Sequence, residues 1–487
     1  MHYQRYTLDF YLLACLTARQ IQDGEAGTRF AAAATRLAEF TQTMADDGGR
    51  LPLIGDDDGG MLWPMTGRAY DDVRDSLGLA ALTLGRPDLA RWGACEEVFW
   101  LVGPDAVAGT PALLDVPRAE ALPSKTLAQT GYVVLRDERG GHAVFDTGRH
   151  GYLNAGHAHA DALSLTLALD GRSLLIDPGT LTYTMDPRLR DHLRSTASHN
   201  TITIDGQPQS VPSGPFHWRT RADAALQASR HNPGFDWAEG SHDGYAPLTH
   251  RRAVMRTDAG WLVVDDISGL GHHTVDACWH FDPQWMVACD APGRLRATHL
   301  DQGAAWLLLD GGSVALMMGD EQTGLGWCAP VYGTLVPTWT ARIRRDGVLP
   351  RTMVTWIGAA GDEEQQPPRL ERFEPACDDA ARAIGVRIHA NDRISTFALM
   401  MGEPAAREGR ALGTADFQTD ARVIHYTEQA GRLIALDLVD ATHALVLRDG
   451  WIDQPTSFST TPSQVIALAR SNPASPILAA SFLSPNR

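Results

Sequence analysis

No stretch of this 487-residue chain approaches the ~18 to 20 consecutive apolar residues of a membrane-spanning helix, so no membrane span is expected. Cysteine is sparse. The six, Cys15, Cys95, Cys278, Cys289, Cys328 and Cys377, form neither a CxxC pair nor a dense disulfide framework, and they leave the redox compartment open. Basic residues are outnumbered, 42 Lys and Arg against 59 Asp and Glu; a formal charge of -17 without a basic stripe argues against general nucleic-acid affinity. No internal repeat stands out. A leader signal is also weak: residues 10–18 are mostly apolar and Leu13-Ala14-Cys15 faintly resembles a lipoprotein processing site, but Asp9 and a single Arg5 make a poor signal peptide. This segment reads as a core helix.

What is present is a globular composition, with 44% hydrophobic and 7% aromatic residues, in a chain long enough for two or three domains. The first hundred residues carry helical periodicity. Leu8, Leu12, Cys15 and Leu16 form one stripe, Phe30, Ala33, Leu37, Phe40 and Met44 a second, and Val73, Leu77, Ala80, Ala81 and Leu84 a third. Between them lies GDDDGGMLWP, residues 55–64, which suits either an ordinary acidic turn or the rim of a sugar-binding cleft. From about Gly131 the texture changes to short alternating runs such as TGYVVLRD, HAVFDTG and GWLVVDDISG, punctuated by Gly, Asp and Pro. These predict antiparallel strands in a large two-sheet sandwich. The same texture returns in VIHYTE and RLIALDLVD beyond Arg422, and residues 362–368 read as a long exposed loop.

The densest chemistry lies in residues 154–205, where NAGHAHADALS, LLIDPGT and RSTASHNTITID follow one another. His159 is expected to open one strand, Asp177 to close the next, and His199 to stand just ahead of the alternating run at residues 201–204. Two imidazoles and a carboxylate form a zinc-type set with a fourth position open. His157 is then left for chemistry. Leu163, Leu165, Leu167 and Leu169 share the parity of His157, His159 and Asp161 on a strand. Asp177 joins His159 on one face if the hairpin turns through a three-residue loop, Leu169-Asp170-Gly171, whereas a two-residue loop puts it on the other. The metal reading therefore predicts the longer loop. Taken singly, each of these residues is more often a plain hydrogen-bonding group; the combination is what points to a metal.

With AEGSHDGY, HRR and WHFDP further on, these motifs resemble the heparinase II/III-like family of polysaccharide lyases, strongly over residues 131–283 and more weakly towards the C-terminus. The resemblance implies a multidomain α + β fold: an (α/α) toroid portion over residues 1–115, an antiparallel β-sandwich with the metal site over 116–405, and a C-terminal β extension over 406–487. It implies a structural zinc-type ion on His159, Asp177 and His199, with His157 facing the substrate cleft. The N-terminal YQRYTLDFYLLA resembles the toroid helix that begins with the family's catalytic tyrosine, placing Tyr3 in that role, although Gln4 stands where histidine is common. Family members carry further toroid residues upstream, including a group that neutralises the substrate carboxylate. Three alternatives follow: an N-terminally shortened form, a partner chain supplying the missing wall, or lost catalysis.

The chemistry implied is β-elimination. A base removes the proton at carbon 5 of a uronic acid, and the bond to the 4-oxygen breaks. Tyr3 is the expected base, and the acid as well if one phenol reaches both atoms; its pKa must then fall from about 10 to about 7, for which nearby cations are the expected source. Arg194, Asn154, His242 and Tyr245 are the candidate substrate-binding residues, and Arg194 also has the alternative of a structural ion pair. The expected partner is an acidic polysaccharide, with a homo-oligomer open. Two other functions stand beside the lyase: a non-catalytic or biosynthesis-associated polysaccharide-binding protein of the same fold, and a metal-dependent hydrolase or isomerase using Asp161 as base. The resemblance implies a periplasmic location, while the weak leader leaves the cytoplasm open.

Overall fold

A computed structural model describes residues 2–114, 121–232, 234–361, 366–378, 381–403, 410–441 and 444–448, with the strands Val465–Leu468 and Ala480–Ser481. The chain divides into two compact units. The first comprises residues 1–225, 274–285 and 315–344, and the second residues 226–273, 286–314 and 345–487. The expected long loop at 362–368 falls partly outside the described residues.

The first unit opens with helices His2–Gln20 and Gly24–Met44, followed by Arg74–Leu84 and shorter turns. Asp23 starts the second helix by accepting a hydrogen bond from the Ala26 amide, a group that the helix itself leaves without a partner. Leu8 and Leu12 are fully buried as their spacing requires. On the second helix the buried line is Ala34, Ala38, Thr41 and Met44, while Leu37 and Phe40 are only partly covered and pack at its margin. Small residues lie at the helix contact and larger ones flank it. Val134 and Val144 complete this core from a five-stranded antiparallel sheet, in which Lys125–Leu127, Tyr132–Arg136, His142–Asp146, Leu165–Leu169 and Arg172–Leu175 follow in chain order.

The last hairpin of that sheet differs from the expected one. Its loop has two residues, Asp170 and Gly171, both with positive φ, and Leu169 pairs with Arg172. The register then slips by one: Ala168 pairs with Ser173, but Leu167 pairs with Leu175. Leu174 is thus an extra residue on the second strand, and this bulge makes the parity shift that a longer loop would have made. Nor does His159 open a strand. The ladder starts only at Leu165, and residues 151–164 are irregular, with positive φ at Leu153, Ala155 and Leu163.

Asn200 fastens the hairpin to the next strands. Its amide nitrogen donates to the carbonyls of Leu165 (2.8 Å) and Ile176 (2.9 Å), and its oxygen accepts from the His280 amide at 2.7 Å. The side chain is fully buried. Ile202–Ile204 pairs antiparallel with residues 275–277 beside it.

The second unit is a β-sandwich. An eight-stranded sheet including Phe235–His242, Thr249–Thr257, Gly260–Ser268 and Arg351–Ala359 contributes Trp237, Met255, Leu262 and Trp356 to the shared core. A seven-stranded sheet including Arg382–Ala390, Arg393–Met401, Val423–Gln429 and Arg432–Val439 contributes Val386, Phe397, Leu399 and Val439. Side chains alternate between faces, so the opposite face of the seven-stranded sheet sends Met400, Ile424, Tyr426 and Leu436 into a further core with Leu412 and Phe417. The fold is therefore α + β, a toroid-type helical portion followed by an antiparallel β-sandwich. No helix among the described residues is long and apolar enough to cross a membrane.

Replacing Asn200 with Ala strands two carbonyls and one amide in the interior. At about 1 kcal/mol or more for each orphaned group, thermal unfolding of Asn200→Ala should show a loss of about 3 kcal/mol. A melting temperature equal to the wild type's would refute the fastening role.

Candidate functional site

Four ligand-type side chains converge in the first unit. Ligand atoms of His159, Asp161, Asp177 and His199 all lie within 4.8 Å of one another, and all four residues are buried. His159 Nδ1 faces His199 Nε2 at 3.1 Å, and Asp177 Oδ2 lies 3.4 Å from the same His199 nitrogen. Edges of about 3.3 Å are what a tetrahedral ion with bonds near 2.0 Å would hold. Asp161, considered from the sequence only as a base, is the fourth member.

The far side of each ring fixes its tautomer. His159 Nε2 points at an oxygen of Asp56, 3.0 Å away, and His199 Nδ1 points at the Ser195 carbonyl at 2.8 Å. Both partners only accept, so each of those nitrogens carries its ring's proton. The two nitrogens that face each other are then bare lone pairs beside a carboxylate. A proton, on one of the rings or on Asp177, or a metal ion would satisfy them. Burial lowers the pKa of His159, despite the opposing pull of Asp56, and holds that of His199 well below the usual value. A proton on either ring is thus disfavoured. Burial also raises Asp177 to about 8 and Asp161 well above the carboxylate range, with Asp146 adding to both. A divalent cation would reverse all four shifts, and the donor set fits one.

Local structure delivers these groups. The Leu174 bulge sets the parity of the chain leading to Asp177, whose Oδ1 accepts from the Gly179 amide at 2.9 Å. The turn Thr196–Ser198 leaves His199 in extended backbone at its end. His159 is held by bonds to its neighbour Ala160, whose amide donates to the Arg194 carbonyl and whose carbonyl accepts from Gln209 Nε2, each at 2.9 Å.

Asp56, from the GDDDGG loop, sits at the centre of a second constellation. It accepts His159 on one oxygen and His157 Nδ1 on the other at 3.1 Å, with Arg190 gripping both oxygens and Thr180 Oγ1 at 3.3 Å. Burial alone would raise its pKa, but the bonds from His157, His159 and Arg190 win and hold it far below the usual range. It is a permanent carboxylate. Gly55 makes the approach feasible: its φ is +72°, and a Cβ there would meet the His157 carbonyl at 3.0 Å. Helix Pro187–Leu193, capped by Asp186 and led by proline, presents Arg190.

His157 itself is 55% exposed at the side chain, the open member of the group. Its ring lies 4.9 Å from Tyr3, 5.5 Å from Phe216 and 6.0 Å from Tyr183. Tyr3 and Tyr183 share a phenol-to-phenol hydrogen bond of 2.5 Å. Tyr3 and His157 are therefore brought together. The electrostatics of Tyr3, however, oppose the expectation of a lowered pKa: burial raises it, Tyr183 pulls it down only in part, and Asp58 and Asp56 push it further up. The neighbours acting on it are a phenol and carboxylates, not cations. Tyr3 is a protonated phenol in the substrate-free protein. Gln4, where the resemblance expects histidine, bonds the Leu37 carbonyl and Thr41 within the helical layer.

The other candidates fare differently. Asn154 is exposed, with its amide 3.4 Å from the carbonyl of Phe216, whose ring neighbours His157. Arg194 is fully buried and committed to Asp191 and the carbonyls of Gly214 and Pro215, with its guanidinium 4.7 Å from the Trp218 ring. It braces the site's wall and has no face for substrate. His242 and Tyr245 belong to the second unit, where His242 is buried against His250, which bonds Asp265 at 2.7 Å. Asp56, Arg190 and Tyr183 are the members that the sequence reading missed.

A family model for the heparinase II/III-like C-terminal region matches residues 119–370, just over half of the chain. The chain belongs to the heparinase II/III-like family. Among solved structures, a heparinase III superposes with a TM-score of 0.63 at 14% identity, covering 82% of this chain and 59% of that one. The heparan sulfate lyase from Pedobacter heparinus gives 0.59 at 16% identity, over 82% and 57%. At such identities the likeness shows the fold, and the chain spans less than three-fifths of the length of either structure. No curated protein matches the chain in sequence.

Elemental analysis of the purified protein should find one divalent transition metal per chain. His199→Ala and Asp177→Asn should each reduce that content to near zero. A metal-free wild type that cannot be loaded would refute the lone-pair argument.

Proposed function

We propose that the protein is a polysaccharide lyase that cleaves a uronic-acid-containing polymer by β-elimination, with Tyr3 and His157 sharing the two proton transfers. The observation that carries this reading is the contact of an exposed imidazole with a half-buried phenol, 4.9 Å between rings, beside a cluster suited to a metal. The family and the fold support it.

The protonation states favour a division of labour. Because its Nδ1 proton is given to Asp56, His157 offers the Nε2 lone pair to the cleft as the base. Tyr3 holds its proton and is the acid. In the reaction, the C5–H bond breaks and its proton passes to His157. The electron pair forms the C4=C5 double bond, the C4–O4 bond breaks, and O4 takes the Tyr3 proton. The phenolate left behind accepts the Tyr183 hydroxyl bond at 2.5 Å and recovers a proton from the adjacent imidazolium. Asn154 is the proposed hydrogen-bonding contact to substrate. This differs from the single-tyrosine scheme that the resemblance implies, because a phenol with a raised pKa rests protonated and has no lone phenolate to take the carbon-5 proton.

A zinc-type ion on His159, Asp177 and His199, with Asp161 in reach, would supply charge that braces the loop carrying His157. The periplasm remains the proposed location.

The test is the far-ultraviolet absorbance of the conjugated C4=C5 uronate product during incubation with a panel of uronate polymers. The expected result is growth of that signal with at least one polymer, reduced about 100-fold or more in Tyr3→Phe and in His157→Ala. Binding of a polymer without any unsaturated product would instead favour a non-catalytic carbohydrate-binding role.

A further inference from the structure

Five hydrogen-bond donors converge on the two oxygens of Asp56: His157, His159, Thr180 and both arms of the Arg190 fork. The backbone is tied as well, since the Asp56 amide donates to the His157 carbonyl at 3.0 Å. A carboxylate gripped on both oxygens by a planar guanidinium cannot turn without breaking two charge-assisted bonds. Of its three remaining bonds, two go to histidines with different tasks. One ring, His159, turns its other nitrogen into the metal-type cluster, and the other, His157, turns its outer nitrogen to the open face.

We propose that Asp56 is a positioning residue that couples the metal centre to the His157 imidazole, fixing ring orientation and tautomer in both at once. The proposal rests on the reading that the His159 cluster takes a metal and that His157 meets substrate. Its physical content is a short chain of contacts: metal ligand, His159 ring, Asp56 carboxylate, His157 ring. Drawing electron density from His159 Nδ1 into a metal bond makes its Nε2–H a stronger donor, so Asp56 oxygen charge is shared differently with His157. The partner orienting a metal-bound histidine ordinarily contributes 10- to 100-fold to metal affinity. Here that partner also holds the exposed imidazole. Arg190 supports it from beneath, with its guanidinium 5.3 Å from the Tyr183 ring, so the second phenol of the site packs on the same unit.

The experiment uses the full chain labelled with nitrogen-15 and loaded with zinc, and reads the histidine ring nitrogens by two-bond proton correlation at pH 8. His157→Gln identifies the His157 signals. In the wild type the His157 proton should sit on Nδ1, and chelation of zinc should shift the His157 ring signals although His157 is no ligand. Asp56→Asn should weaken zinc binding 10- to 100-fold in competition with a chromogenic chelator, move His157 toward the Nε2–H tautomer and abolish the chelation-linked shift. A wild-type His157 protonated on Nε2, or unmoved by chelation, would overturn the proposal, as would unchanged zinc affinity in Asp56→Asn. The wild-type spectra decide the matter even if that variant does not fold. A protein that takes up no zinc would sink the metal reading and the coupling together. Failure to cleave any polymer would count against the lyase alone, because no arm of this test uses turnover.

Discussion

Two imidazole nitrogens, His159 Nδ1 and His199 Nε2, face each other across 3.1 Å in a buried pocket that also takes in Asp161 and Asp177. Each ring has given its proton to an acceptor on its far side, so the facing lone pairs cannot satisfy one another. Burial disfavours a proton between them and equally disfavours the charged forms of the neighbouring carboxyls. A divalent cation resolves both conflicts with one charge centre. The hairpin bulge, the turn before His199 and the irregular segment carrying His159 are devices that bring donors from distant points of the chain to that centre.

The cluster's influence reaches the exposed side through Asp56. A carboxylate saturated with donors is a poor base and a poor acid, but it is a rigid reference point for the rings bonded to it. His157 thereby gains a defined free nitrogen next to the Tyr3 phenol. Tyr183 adds a donor for whatever charge develops on Tyr3. The chemistry proposed for the site thus follows from where protons are held in the resting protein, and it changes the division of roles that a single catalytic tyrosine would have implied.

Much of this was readable from the residues, and the misses have physical reasons. His159, Asp177 and His199 were legible because imidazole and carboxylate at such density are chemically conspicuous, and helical periodicity at Leu8, Leu12 and Leu77 marked the helical layer. The strand-parity argument reached the right grouping by a wrong route: the loop has two residues, and the shift comes from Leu174, an apolar residue whose doubling on one strand has no local signature. Asp56 was hidden because its partners His157 and Arg190 lie 101 and 134 residues away, and a run of three aspartates between glycines looks like an exposed turn. Arg190 and Arg194 stand four apart at one short helix. Only the three-dimensional arrangement gives the first to Asp56 and buries the second against backbone carbonyls.

Zinc K-edge absorption on the loaded protein tests the central claim most directly. The account predicts a shell of two imidazole nitrogens and one or two carboxylate oxygens at about 2.0 to 2.2 Å, with the outer-shell scattering of histidine rings. An oxygen-only shell without imidazole scattering would contradict it, because the facing nitrogens of His159 and His199 would then be held by something other than a metal.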